Sequence, residues 1–265
     1  MKIESLTPER LEHFNNQGYA ILPGIIEPDY CRRLIAELDE MIQHEVAGNN
    51  RLLVSYREMG MLTSYPPVIS LIEQLMGESR FSMHHIHSTR HEPGDGGIGW
   101  HHDYEQFPQT NRSHLMVHVF YYLNGLSGEI GDLLVLPRSH QVIAQRDLGV
   151  LGSIDLPGSV CVDNLEPGSA VIVHSAVWPA RRPKPGGEER GRYFVDVSYC
   201  QHGTSWSGYQ NVDEINDKAL AMGLDRDGRY QYLYDGSCFF DMGAYREKFN
   251  KMNEGSLVPR LLNKG

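Results

Sequence analysis

Apolar side chains recur at helical spacing through residues 1–80 and in short, turn-punctuated runs through residues 81–200. Thr7 as N-cap and Pro8 at the first helical position open a helix that buries Leu11 and Phe14 and stops at Gly18. A short strand, Tyr19 to Leu22, follows. Pro28 opens a second helix in which Cys31, Leu34, Ile35, Leu38 and Ile42 fall at i, i+3, i+4, i+7 and i+11, the stripe of an amphipathic helix, with Gly48 as its stop. A third runs from Pro67 to Met76, with Val68, Leu71, Ile72 and Leu75 in register before Gly77. One-sided stripes of this kind are built to cover a sheet.

From Phe81 the pattern becomes β-like, with runs at His114 to Leu123, Leu133 to Leu136, Ala170 to His174 and Tyr193 to Tyr199. Turn pairs such as Pro157-Gly158 and Pro167-Gly168 separate them, and no helix-length pattern intervenes. That favours two facing sheets, a sandwich or jelly roll, over a βαβ series. No boundary or repeat interrupts the chain. It reads as one domain over 1–265, with 1–80 as helical cover, 81–200 as β core and 201–265 as a C-terminal extension that from Asp241 onward reads as a helix of weak amphipathicity. The stretch Arg181 to Gly191 is the most loop-like piece.

Composition narrows the function. The 265 residues carry 24 basic against 34 acidic side chains, a formal charge of −10, which argues against nucleic-acid binding. Four scattered cysteines without CxxC spacing, and a start lacking the apolar core of a signal peptide, predict a reducing cytoplasm. Runs such as Ala170 to Val173 are too short to span a membrane. Of 13 histidines, eight lie between His84 and His118, a concentration that points to metal binding or proton transfer.

The sharpest local feature is Trp100-His101-His102-Asp103-Tyr104. Alternate side chains of a strand share a face, so His101 and Asp103 point together and His102 points away. One imidazole and one carboxylate then converge, two-thirds of the 2-His-1-carboxylate set that holds non-haem Fe(II); the same spacing also suits a plain surface strand. By the same alternation His85 and His87 share a face and His84 takes the other. His118 stands with His114, Met116 and Phe120 opposite an aliphatic face of Leu115, Val117 and Val119. No GxSxG elbow, Walker A loop, HExxH helix or cysteine-based zinc spacing occurs.

The phrases WHHDYEQF, LLVLPRSHQ, EPGSAVIVHSAVW and RGRYFVDVSY, with QGYAILPGIIEPDYC near the start, resemble the phytanoyl-CoA dioxygenase family over most of residues 8–200. The resemblance implies a mainly β, double-stranded β-helix (jelly-roll, cupin-like) fold with N-terminal covering helices. It implies Fe(II) as cofactor, 2-oxoglutarate as co-substrate, and O2 with a small organic molecule as the other reactants. Decarboxylation of 2-oxoglutarate to succinate is then coupled to hydroxylation or a related oxidation. His101 and Asp103 match the family's HxD metal ligands. Arg192 matches the arginine that grips the distal carboxylate of 2-oxoglutarate, with Arg190, two residues earlier, as its rival.

One position departs from the family. Its second ligand histidine falls where this chain reads Val177-Trp178-Pro179-Ala180, so a proline stands at the ligand position. His174 is the nearest replacement, with His118 and His202 as other donors. Pro179 keeps two further readings open: a metal enzyme, such as an isomerase, that works without 2-oxoglutarate, and a catalytically silent jelly-roll binding protein.

Overall fold

Helix α1 (Pro8–Gln17) begins and ends on its sequence signals: Thr7 Oγ1 accepts the Arg10 N–H at 3.3 Å, and Gly18 closes the helix in the left-handed region, φ 85°. A Cβ at Gly18 would come within 2.1 Å of Val177, so the residue is needed for close packing as well as for its dihedral. The computed structural model describes residues 5–44, 53–107, 112–128, 131–143, 147–183, 191–208 and 212–241, with Glu247. Strand β1 (Tyr19–Leu22) leads to α2 (Pro28–Gln43), which buries Cys31, Leu34, Leu38 and Met41. Gly48, read as the stop of this helix, lies outside the described residues, and α2 ends at Gln43.

Helix α3 (Arg57–Leu62) was not signalled by periodicity. It is held from outside: Glu37 of α2 accepts the N–H groups of Glu58 and Met59 at 3.0 and 2.6 Å, satisfying two first-turn donors. Helix α4 (Pro66–Met76) starts one residue before the expected Pro67 and fully buries Val68, Leu71 and Ile72. Each such side chain contributes roughly 1.5–3 kcal/mol.

The β region runs through β2 (Phe81–His91), β3 (Trp100–His101), β4 (Gln106–Phe107) and β5 (Met116–Tyr122). It continues with β6 (Leu133–Leu136), β7 (Asp147–Leu148), β8 (Val160–Val162) and β9 (Ser169–His174), then β10 (Trp178–Arg181), β11 (Arg192–Gln201) and β12 (Ser205–Gly208). Helix α5 (Val212–Ala221) and β13 (Phe239–Asp241) follow. The helical tail expected beyond Asp241 lies outside the described residues apart from Glu247.

Five strands form an antiparallel sheet in the order β1-β9-β5-β11-β2, and three form a smaller one in the order β10-β6-β8. The backbone pair Ile98–Arg181 ties the segment entering β3 to β10. The chain crosses from the large sheet at β5 to the small one at β6 and β8, returns at β9, and repeats the exchange through β10 and β11. This is the mainly β jelly roll, with the helices as cover. Phe120, Tyr122, Val171 and Val173 of the large sheet meet Val135 and Val162 of the small one in a core between the sheets. The other face of the large sheet, with Val117, Val119, Tyr121, Val195 and Val197, packs on Leu34, Leu38, Leu71 and Ile72 of the helices. No helix among the described residues is long and apolar enough to cross a membrane.

Candidate active site

Between the sheets a cavity of about 280 Å³ opens beside β3. The large sheet contributes His85, His118, Asp196 and Arg192 to its wall, the small sheet contributes Pro179 and Arg181, and the β3 edge contributes His101 and Asp103. Phe120, Tyr122 and Phe194 supply aromatic walls.

His101 and Asp103 point into this cavity together. His101 Nδ1–H donates to the Gly99 carbonyl at 2.8 Å, which leaves Nε2 as the free lone pair, 3.5 Å from Asp103 Oδ2. The Asp103 backbone is fixed by its N–H to the Ser175 carbonyl at 2.9 Å. Burial disfavours charge on the His101 ring, but the carboxylate beside it outweighs that and raises its pKa. Asp103 is lowered in turn: burial works against its charge, and His101 overcomes it. His102 turns the other way, fully buried, with Nδ1 accepting the Tyr104 N–H at 3.3 Å.

On the facing wall, His118 Nδ1 lies 2.8 and 3.0 Å from the two oxygens of Asp196, and His85 Nε2 lies 3.5 Å from Asp196 Oδ2. Burial opposes both charges of the His118–Asp196 pair. Their mutual attraction prevails, raising His118 to about 9 and holding Asp196 well below the usual carboxylate range. The alternation read along β2 needs correction here. Ser198 pairs with His85 and Tyr199 with Met83, so His84 is an extra, bulged residue. His84 therefore does not take the opposite face from His85: the two rings are in contact, centroids 5.1 Å apart, with Nδ1 atoms 2.9 Å apart. His84 is pushed down to about 3 by burial, reinforced by His85.

The far end of the cavity is cationic. Arg192 is 3% exposed, bonds through Nε to His91 Nδ1 at 3.3 Å and through Nη1 to the Gly131 carbonyl, and lies over the rings of Tyr122 and Phe194 at 5.7 and 5.6 Å. Arg181 donates Nη2 to the Gly96 carbonyl at 2.7 Å, while its Nε and Nη1 are buried with no hydrogen-bond partner among the described residues. Desolvation lowers both guanidinium pKa values, that of Arg192 to about 10. Two buried cations at one end of a cavity attract an anion. Arg190 lies outside the described residues.

The structure does not bring His174 to this cavity. It lies against a separate surface pocket with Phe14, Arg112 and His140, stacked on Tyr104 at 6.0 Å and on Phe14 at 6.5 Å, and its Nδ1 accepts the Ala176 N–H at 3.0 Å. The physical reason is parity. His174 sits opposite Val117, whose side chain faces the helices, so the ring leaves the inner face at the end of β9. His202 is also elsewhere, with Nε2 2.7 Å from Ser82 Oγ. Pro179 does line the cavity and offers no donor atom.

Asp196 and Arg181 line the cavity without a motif to mark them. Asp196 sits in the otherwise apolar run Phe194-Val195-Asp196-Val197, where a lone carboxylate in a buried strand was the available signal. Arg181 opens the stretch whose sequence is most loop-like, yet it is only 9% exposed and belongs to β10.

The sequence model of the phytanoyl-CoA dioxygenase family matches residues 14–183. No curated protein matches the sequence. Among solved structures, the non-heme alpha ketoglutarate dependent carbocyclase SnoK from nogalamycin biosynthesis is 18% identical, covering 80% of this chain and 90% of its own, with a TM-score of 0.64. HygX from Streptomyces hygroscopicus, solved with nickel and 2-oxoglutarate bound, is 15% identical over 76% of this chain and 89% of its own, TM-score 0.62. The non-heme monooxygenase ThoJ in its apo form is 15% identical over 84% and 96%, TM-score 0.63. At these identities the likeness is one of fold.

Proposed function

The chain belongs to the phytanoyl-CoA dioxygenase family, and from that premise we propose that it is an Fe(II)- and 2-oxoglutarate-dependent oxygenase that hydroxylates or otherwise oxidises a small organic molecule. The observation that carries this reading is the pairing of His101 Nε2 and Asp103 Oδ2, 3.5 Å apart, on a cavity whose other end holds Arg192.

The residues fit the two groups. An imidazole lone pair and a carboxylate oxygen at that separation suit two adjacent positions of one ferrous ion, whose donors stand roughly 3 Å apart at metal–ligand distances near 2.1 Å. Arg192 suits the distal carboxylate of 2-oxoglutarate, because its guanidinium is desolvated, lies over two aromatic rings and bonds to His91 and the Gly131 carbonyl rather than to a carboxylate. Bound there, iron and 2-oxoglutarate would allow O2 to act as the oxidant, half of its oxidising capacity being taken up as 2-oxoglutarate is decarboxylated to succinate and the other half by the substrate. The chain's own residues orient and shield: Gly99 fixes the His101 tautomer, the Ser175 carbonyl fixes the Asp103 backbone, and Phe120, Tyr122 and Phe194 keep water from the co-substrate's tail. Arg181, with two unused donors, suits an anionic group on the substrate or the co-substrate. The four cysteines are free, in keeping with a cytoplasmic setting.

The test is an anaerobic titration with Fe(II) and then 2-oxoglutarate, following the visible charge-transfer band of the chelate. A band in the wild type that disappears in His101→Ala and needs more 2-oxoglutarate in Arg192→Ala is the expected result. Iron binding without a band would favour a metal enzyme that works without 2-oxoglutarate. Absence of iron binding would favour a silent binding protein.

A further inference from the structure

The wall opposite His101 and Asp103 carries a second set of metal-type donors. We propose that His85, His118 and Asp196 form a metal site of their own, separate from the His101–Asp103 pair, for a divalent first-row transition metal. The inference does not depend on the function proposed above.

Four observations converge on it. First, the residue types are two imidazoles and a carboxylate, a set that selects Mn, Fe, Co, Ni or Zn over Mg or Ca. Second, the geometry is nearly assembled. One donor atom from each residue lies within 4.8 Å of the other two, and the separations to Asp196 Oδ2 are 2.8 Å from His118 Nδ1 and 3.5 Å from His85 Nε2. Donors 2.0–2.2 Å from one metal stand roughly 3.0–3.4 Å apart, so small side-chain rotations close the site.

Third, the donors are preorganised by the sheet. They come from β2, β5 and β11, three adjacent strands, and Ser198 lies opposite both His85 and His118 in register. Its Oγ is 2.7 Å from His85 Nδ1, an outer contact of the kind that orients a ligating ring and directs Nε2 at the carboxylate. The β2 bulge at His84 turns His85 inward; an unbroken pleat would send it to the helix side with Met83. Fourth, one ring nitrogen of the cluster is left over. His118 is 2% exposed, and its Nε2 is buried with no hydrogen-bond partner among the described residues. A buried carboxylate between two imidazoles, with a ring nitrogen of His118 left over, suits a metal cation that would replace the His118 proton.

The experiment uses Co(II), whose d–d spectrum reports imidazole and carboxylate ligation, titrated anaerobically into full-length metal-free protein with metal content measured in parallel. In His101→Ala/Asp103→Asn, about one Co(II) per chain should still bind, with its spectrum and its metal-induced rise in melting temperature intact. Adding His85→Gln to that background should weaken binding at least tenfold. His85→Gln leaves the His118–Asp196 pair in place, so a folded circular-dichroism spectrum is expected for this variant, and Asp196→Asn then serves as the stronger replicate. Two Co(II) per wild-type chain would support both sites. A single Co(II) that survives His101→Ala/Asp103→Asn and is lost with His85→Gln would support the inference while overturning the iron assignment above. A single Co(II) lost in His101→Ala/Asp103→Asn would overturn the inference and leave that assignment standing, and unchanged affinity in the His85→Gln background would overturn it as well.

Discussion

His118 Nδ1 meets both carboxylate oxygens of Asp196, at 2.8 and 3.0 Å, across β5 and β11 in the interior of the barrel. Removing one partner leaves the other buried without compensation, so Asp196→Ala should lower unfolding stability by about 3–5 kcal/mol at neutral pH. Urea denaturation followed by tryptophan fluorescence measures this. A loss under about 1 kcal/mol would mean that water reaches the pair and takes over its hydrogen bonds.

Arg192→Lys keeps the charge but removes the fork that spans His91, the Gly131 carbonyl and the cavity. We expect 2-oxoglutarate affinity to drop tenfold or more while Fe(II) affinity stays within about twofold, corresponding to the loss of one charge-assisted contact. Titration of the charge-transfer band separates the two constants. Equal losses in both would point to a disturbed barrel.

Pro179→His places an imidazole on the cavity wall, on the strand tied to the segment entering β3 through Ile98–Arg181. Metal affinity at His101 and Asp103 should rise at least tenfold, read by competition with a coloured chelator. The gain should vanish when Asp103→Asn is added; a gain that persists would locate the new ligand's metal elsewhere.

The His174 ring is half-buried and held neutral, its pKa pushed down to about 3 by desolvation and then by His140. A histidine with folded pKa below its unfolded value of about 6.5 binds protons more readily when unfolded. Stability is therefore full above pH 6.5 and declines on acidification toward pH 3. Between pH 7 and pH 5 this one group should cost about 2 kcal/mol. In His174→Phe, which keeps the stacking on Tyr104 and Phe14, that increment of the pH slope should disappear. Denaturation midpoints of the two proteins at both pH values provide the check, and parallel slopes would show that the ring is protonated in place.

Local signals explain what could be read from the chain. Thr7, Gly18, the stripe from Cys31 to Leu38 and the alternation through β5 act within a few residues, and the corresponding elements form where those signals lie. His101 and Asp103 face one cavity because two-residue spacing on an extended segment suffices. The rest depends on distant pairings. Asp196 meets His118 across 78 positions and His85 meets Ser198 across 113, and no periodicity encodes either contact. The bulge at His84 breaks the parity on which face assignment relies. His174 lies away from this cavity because a histidine near the end of a strand belongs to whichever face the register with Val117 dictates.

The two faces of β5 serve different neighbours: His118, Phe120 and Tyr122 line the cavity, while Val117, Val119 and Tyr121 pack against the helical cover. Chemistry within the barrel can therefore diversify one substitution at a time without disturbing that cover. Length change in the same strand has the opposite effect. Losing a single residue ahead of Val117 would exchange the two sets, carrying aliphatic side chains into the cavity and forcing His118 against Leu34 and Leu71. Diversification at this wall is thus confined to point replacement, and gains or losses of length are left to the turns.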